Sequence, residues 1–256
     1  MTLFETRMPN NLDAPLRIAM WSGPRNISTA MMRSFENRPD CVVVDEPFYG
    51  AWLERTGEAH PMANEIIDAM DCDWQSVMAD LTGPIPEGAA IWYQKHMTHH
   101  LLDDMIQPRW LDKLHHVFLI RDPRAVVASY LAKRDTVSAA DIGIPQQTKL
   151  FDQLCELNGA APPVIDSNAF LNDPEGHLRA LCETLSIKFD SAMLNWPAGP
   201  RDSDGVWASH WYGTVWSSTG FDPPSKSRPE LTGSALAVAE SCRASYQRLF
   251  SYRLRP

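Results

Sequence analysis

At 256 residues, with 44% hydrophobic and 21% charged side chains, the chain has the bulk composition of a globular protein able to bury a core of its own. A net charge of -9 argues against a broad basic surface for nucleic acid, so an anionic ligand must find positive charge locally. The five cysteines are scattered, odd in number and free of Cys-x-x-Cys spacing, which fits reduced thiols in a cytosol better than a disulfide framework.

Residues 1–14 are polar and read as a loose leader; Glu5, Arg7 and Asp13 precede any apolar run, so no signal peptide is expected. No stretch approaches the ~20 apolar residues that span a bilayer, and the expected compartment is the cytoplasm. Short apolar runs then recur at Leu16–Trp21, Cys41–Val44, Ala89–Tyr93, His116–Ile120 and Pro163–Ile165. Between them, Ile27–Phe35, Ala63–Leu81, Thr98–Ile106 and Pro123–Ala132 carry helical spacing. Pro174-Glu175 opens a further helix with Leu178, Leu181, Cys182 and Leu185 on one face, and a last helix covers roughly 234–250. The alternation predicts one α/β domain over 1–256, three layers with a central, mostly parallel sheet. Residues 196–234, rich in Pro, Gly, Ser and Trp, form a long irregular segment of the sort that is functional or disordered.

Two strand ends carry chemistry. After the first strand comes Ser22-Gly-Pro-Arg-Asn-Ile-Ser-Thr29, and after the fourth comes Arg121-Asp-Pro-Arg124, with Pro123 suited to a first helical position. Each is a tight polar turn holding a cation ahead of a helix, where backbone N–H groups and the helix dipole converge on an anion. Two such turns in one sheet suggest a ligand with two phosphate-like ends. The first is no ordinary nucleoside-triphosphate loop: G-x-x-x-x-G-K-[ST] would need a second glycine and a lysine where Asn26-Ile27 stands. A plain strand-turn-helix connection capped by Ser28 or Thr29 is the structural alternative.

The second turn, with Ser129 about two helical turns beyond Arg121, resembles the 3′-phosphate segment of sulfotransferases. Gly23-Pro24-Arg25-Asn26-Ile27-Ser28-Thr29 resembles their 5′-phosphosulfate loop, where Pro-Lys/Arg-Ser-Gly-Thr-Thr is common. Asp45-Glu46-Pro47-Phe48-Tyr49 is similar to the Glu-Pro-aromatic element of the glycan O-sulfotransferase branch. Pro163-Val-Ile-Asp, Phe170-Leu-Asn-Asp-Pro-Glu-Gly-His-Leu and Leu181-Cys-Glu-Thr-Leu-Ser-Ile look like the family's late strand and helix. The resemblance spans about residues 16–196 and departs at Asn26-Ile27.

It implies a P-loop-NTPase-like fold and transfer of a sulfuryl group from 3′-phosphoadenosine 5′-phosphosulfate (PAPS) to a hydroxyl or amine of a small acceptor, without a metal. Gly23, Pro24, Arg25, Asn26, Ile27, Ser28 and Thr29 then face the 5′ end, and Arg121 with Ser129 the 3′-phosphate. Lys226 and Arg228, in the late segment, are further candidates for that phosphate. Glu46 is the candidate general base, and Lys95, just past the third apolar run, the cation near the transferring group. The plain readings are a cap or salt bridge near the sheet edge for Glu46 and a solvated lysine at a strand end for Lys95.

His96, His99 and His100 rival Glu46, with His99 and His100 beside the expected site. On a helix His96, His100 and Asp103 or Asp104 would share a face, as a zinc site needs, but without an H-E-x-x-H pattern the cluster reads as capping and core packing. Trp207, Trp211 and Trp216 either shape an acceptor pocket, even for a cationic acceptor, or pin the irregular segment through buried indoles. Two other functions stay open: a kinase or NTPase, reading Cys41–Asp45 as a Walker B strand, and a non-catalytic nucleotide-binding relative. Homodimerisation is left open.

Overall fold

The computed structural model describes residues 15–224 and 230–256. Its sheet has five strands: β1 (Leu16–Ser22), β2 (Cys41–Asp45), β3 (Ile91–Met97), β4 (His115–Ile120) and β5 (Val164–Asp166). They lie in the order β2-β3-β1-β4-β5, and every pairing is parallel. The order reverses around β1: the chain builds toward β2, returns to β3, then crosses to β4 on the other side. Such a switch point opens a crevice beyond the carboxyl ends of the strands.

The strands are short and rich in Val, Ile and aromatics because both sheet faces are covered. Side chains divide with period two. Ala19, Trp21, Phe118 and Ile120 enter one core with Leu150, Phe151 and Leu154 of the helix Ile144–Asn158. Ile18, Met20, Val117 and Leu119 enter the other with Met31, Met32 and Phe35 of helix α1 (Ser28–Glu36) and Leu178 and Leu181 of the helix Pro174–Thr184. Burying each such side chain contributes about 1.5–3 kcal/mol, so the two apolar layers hold the strand ends in register.

Several expected elements differ. Ala63–Leu81 is two helices, Ala63–Ala69 and Trp74–Thr82, because Asp73 caps the second by accepting from Gln75 N–H at 2.9 Å. Thr98–Ile106 is no helix but two 3-10 turns, Thr98–His100 and Asp103–Met105. The last helix is broken into Gly233–Ser241 and Arg243–Phe250. Helix α2 (Tyr49–Thr56) and the helix Ile144–Asn158 were not expected from the sequence. The segment 196–224 is folded, with short helices Ala208–Trp211 and Gly213–Trp216. Buried Arg33 of α1 fastens it, paired with Asp204 and, at 2.9 Å, with Glu36. No helix among the described residues is long and apolar enough to cross a membrane.

Candidate active site

β1 and β4 are neighbours, with Ser22 opposite Leu119, so the turns that follow them leave the sheet side by side. Arg121 Nη1 donates to the Arg25 carbonyl at 2.6 Å, and Arg25 Nε donates to Ser129 Oγ at 3.1 Å. Arg25 sits at φ 55°, a left-handed conformation that costs a non-glycine residue about 1–3 kcal/mol unless neighbours hold it. The bond from Arg121 is one such hold. Asn26 is another: its Nδ2 donates to the Leu119 carbonyl at 3.1 Å and its Oδ1 accepts from Ile27 N–H at 2.9 Å. Asn26 therefore ties the loop to the end of β4, which accounts physically for an amide where the family pattern has a small residue. Of the five N–H groups between Arg25 and Thr29, that of Ile27 is thereby used within the loop. No side chain caps α1, whose buried Ser28 and Thr29 open toward the same crevice. Gly23 has to be glycine, since a Cβ there would lie 2.5 Å from the Ile142 carbonyl oxygen.

Neither Arg25 nor Arg121 has a carboxylate partner among the described residues. Burial lowers the pKa of both, and in Arg121 the charge of Arg25 lowers it further. Two guanidinium groups held together in this way gain by receiving an anion.

A second cluster lies at the ends of β2 and β3. Lys95 is not past its strand but inside β3, 1% exposed. Its Nζ donates to Asp45 Oδ1 at 2.7 Å, Glu46 Oε1 at 2.7 Å and Tyr212 Oη at 2.6 Å. An ammonium has three donors, and all three are spent. Tyr212 Oη donates to Asp45 Oδ2 at 2.6 Å and accepts from Trp207 Nε1 at 3.1 Å. Burial disfavours the Lys95 charge, yet Asp45 and Glu46 together raise its pKa well above the ordinary value. Glu46 is itself left-handed at φ 45°, fixed by its N–H to the Lys95 carbonyl at 2.9 Å. Burial raises its carboxyl pKa, against the opposing pull of Lys95.

The histidines separate. His96 packs in the core, stacked 4.4 Å from Trp21 and 3.3 Å from Gln94 Oε1, on a strand and not on a helical face with His100. The shared face that a zinc site would need is absent. His99 and His100 turn toward Glu46's side of the crevice, and His100 Nδ1 stands 3.9 Å from Glu46 Oε2. Both Nδ1 atoms are buried without a hydrogen-bond partner among the described residues. Burial drops His99 to about 4 and His100 well below the ordinary imidazole range.

One cavity of about 520 Å³ joins these parts. Its walls include the loop from Pro24 to Thr29, Arg121 and Ser129, and equally Glu46, Lys95, His99 and His100. The family model described as "Sulfotransferase domain" matches residues 16–247. The chain belongs to the sulfotransferase domain family. Two relatives from Arabidopsis thaliana, branched-chain-amino-acid aminotransferase-like proteins 1 and 2, are 37% and 36% identical over 83% and 82% of this chain. The chain spans only 38% and 37% of their lengths, so their names describe proteins much longer than this one. Among solved structures, the sulfotransferase domain of the Synechococcus PCC 7002 olefin synthase aligns with TM-score 0.55 at 18% identity, covering 97% of this chain and 99% of that one. A sulfotransferase from Alicyclobacillus acidocaldarius aligns with TM-score 0.55 at 12% identity, covering 93% and 95%. At such identities the likeness is one of fold.

Within this sulfotransferase domain, the structure brings together every expected site residue from Pro24 to Ser129, while Gly23 supports the loop from behind. Lys226 and Arg228 lie outside the described residues. Of the tryptophans, Trp207 and Trp211 line the cavity, and partly buried Trp216 holds its segment by donating from Nε1 to Asp204 Oδ2 at 2.9 Å. The sequence reading missed Tyr212, His60, Lys133 and Arg134, all in the cavity wall. Lys133-Arg134 left a signal, a basic pair one turn beyond Ser129; Tyr212 left none.

Proposed function

We propose that the protein transfers a sulfuryl group from PAPS to a hydroxyl of a small acceptor, with Glu46 as general base. The observation that carries this reading is the single cavity shared by two carboxylate-free cationic turns and a buried carboxylate. Arg121 and Ser129 bind the 3′-phosphate, while Arg25, Ser28, Thr29 and the uncapped start of α1 receive the 5′-phosphosulfate. Arg25 moves from its contact with Ser129 to do so. Glu46 Oε2, the oxygen not bonded to Lys95, takes the acceptor's proton as its oxygen bonds to sulfur. The bond from sulfur to the bridging phosphate oxygen breaks, and its electron pair leaves on the phosphate. The cationic turns stabilise that leaving charge.

Glu46 suits the base role better than His99 or His100. Its pKa is raised by burial, whereas burial drives theirs down, and a base gains strength as its pKa approaches working pH. Lys95 acts through Glu46 and not on the sulfuryl group, because its three donors are already engaged. Asp45 has both oxygens bonded within the cluster, which disfavours the Walker B reading.

Thermal unfolding with added nucleotide tests the donor. Adenosine 3′,5′-bisphosphate is expected to raise the midpoint without magnesium, and to do so more than ATP with magnesium. The reverse order would return the protein to the kinase reading. Transfer of labelled sulfate from PAPS to an acceptor panel then tests catalysis.

A further inference from the structure

The cavity carries more positive charge than its cationic turns account for. Beyond Arg25 and Arg121 it is lined by Lys133 and Arg134, which follow Ala132, the C-cap of the helix Pro123–Leu131. Neither makes an ion pair among the described residues, and the Nε atom of Arg134 is buried without a partner. In a chain of net charge -9, an unpaired guanidinium on a cavity wall calls for a ligand anion.

Arg134 lines the cavity together with Tyr49, His60 and Trp211. Its charge helps to lower the pKa of His60, whose imidazole falls to about 4 mainly through burial, and it acts on Tyr49 and Tyr130 as well. The charges acting on Arg121, in contrast, are those of Arg25 and Asp122. That wall of the cavity is made of rings. Tyr49 Oη meets His60 Nδ1 at 2.5 Å, His60 lies 5.7 Å from Trp211, and Tyr49 lies 5.1 Å from Trp207. His60 is neutral at physiological pH, Glu46 is paired with Lys95, and exposed Glu58, whose charge reaches Tyr130, forms no ion pair with Arg134. This part of the cavity therefore presents flat ring faces and, among the described residues, the two cations Lys133 and Arg134 without ion pairs, which repel a cationic acceptor.

We propose that the acceptor is an aromatic hydroxy acid, its ring laid on the wall of Tyr49, His60 and Trp211, its carboxylate held by Arg134 and its hydroxyl delivered to Glu46. This rests on the sulfotransferase reading and narrows it. Arg134 is then a specificity residue for the acceptor. It takes no part in the transfer, in which the phenolic oxygen bonds to sulfur, its proton passes to Glu46 and the bisphosphate departs.

The test compares para-hydroxyphenylacetate with its methyl ester and with para-cresol, using labelled PAPS, in the wild-type protein and in Arg134→Met and Arg134→Lys. Removing a charge-assisted contact costs at least about tenfold in kcat/KM, so the acid should exceed both neutral analogues by that factor. Arg134→Met should erase the preference, Arg134→Lys should restore part of it, and the affinity for adenosine 3′,5′-bisphosphate, read by calorimetry, should be the same in all three proteins. Equal use of acid and neutral analogues, or no turnover of any of the three by a protein that binds the bisphosphate, overturns the acceptor class. A bisphosphate affinity that falls in Arg134→Met assigns the arginine to the donor and overturns the proposal as well. Failure of the wild-type protein to bind the bisphosphate at all would instead strike the sulfotransferase reading beneath it.

Discussion

The two ends of the cavity solve opposite electrostatic problems. Around Arg25 and Arg121, like charges are held together by backbone and hydroxyl contacts, with no carboxylate to neutralise them. Around Glu46, opposite charges are in direct contact: one ammonium bridges two carboxylates, and a tyrosine closes the ring of bonds. The first end is incomplete and gains free energy when an anion arrives. The second is complete and keeps a buried carboxylate in place without surrendering its basicity. A transferase that must grip a polyanion yet deprotonate a neutral hydroxyl needs both arrangements, kept apart within one crevice.

The sharpest way to break this contrast is Glu46→Gln. Transfer should fall by about 10²–10⁴-fold while the affinity for adenosine 3′,5′-bisphosphate holds, measured by labelled-sulfate turnover and calorimetry. Undiminished turnover would remove Glu46 from the base role. Lys95→Met leaves Asp45 and Glu46 facing each other in a dry site, so urea unfolding should show a loss of about 3–5 kcal/mol. With its cation gone, the Glu46 carboxyl should titrate higher still, moving the acid limb of the pH–rate profile upward; an unmoved limb would separate Lys95 from Glu46. Arg121→Ala removes one charge-assisted contact worth about 1.5–3 kcal/mol. Bisphosphate binding should weaken about ten- to a hundredfold, and that of an analogue with a 3′-hydroxyl much less. Equal losses would place Arg121 elsewhere on the nucleotide.

The smallest expected effect is on pH stability. His60, His99 and His116 fall to about 4 on folding, chiefly through burial. Between that value and about 6.5 the unfolded chain binds protons that the folded one refuses, so stability drops as pH falls through this window. His96, His100 and His115 are lowered by burial too, whereas Glu46, raised by burial, works in the opposite sense, one group against six. The urea midpoint should be lower at pH 4.5 than at pH 7, and a midpoint that rises on acidification would show that these imidazoles are not buried uncharged.

How much of this was legible beforehand varies with the kind of signal. All five strands were readable from their apolar runs, though β3 extends past Tyr93 to Met97 and so takes Lys95 inside. Helix Ile144–Asn158 was missed because its inward face includes Gln147, a polar residue; that amide donates to the carbonyls of Trp21 at 3.0 Å and Leu119 at 3.1 Å. Thr98–Ile106 has helical spacing, yet both of its turns close by 3-10 bonds, as Leu101 N–H to the Thr98 carbonyl at 3.1 Å illustrates. Periodicity reports which residues face inward, and says less about which backbone bonds are made.

The amino-acid order alone determined the alternation of strand and helix, the two cation-bearing turns and the carboxylate at the end of the second strand. These are local properties, written in neighbouring residues through side-chain alternation and the chemistry of turns. Only the tertiary structure decided that Arg25 reaches Ser129, that Lys95 spends its donors on Asp45, Glu46 and Tyr212, and that Arg134 lines the same cavity as Tyr49, His60 and Trp211. Those contacts join segments far apart along the chain, and they exist because burial of the sheet's two apolar faces sets where each strand ends and which neighbour its turn must meet.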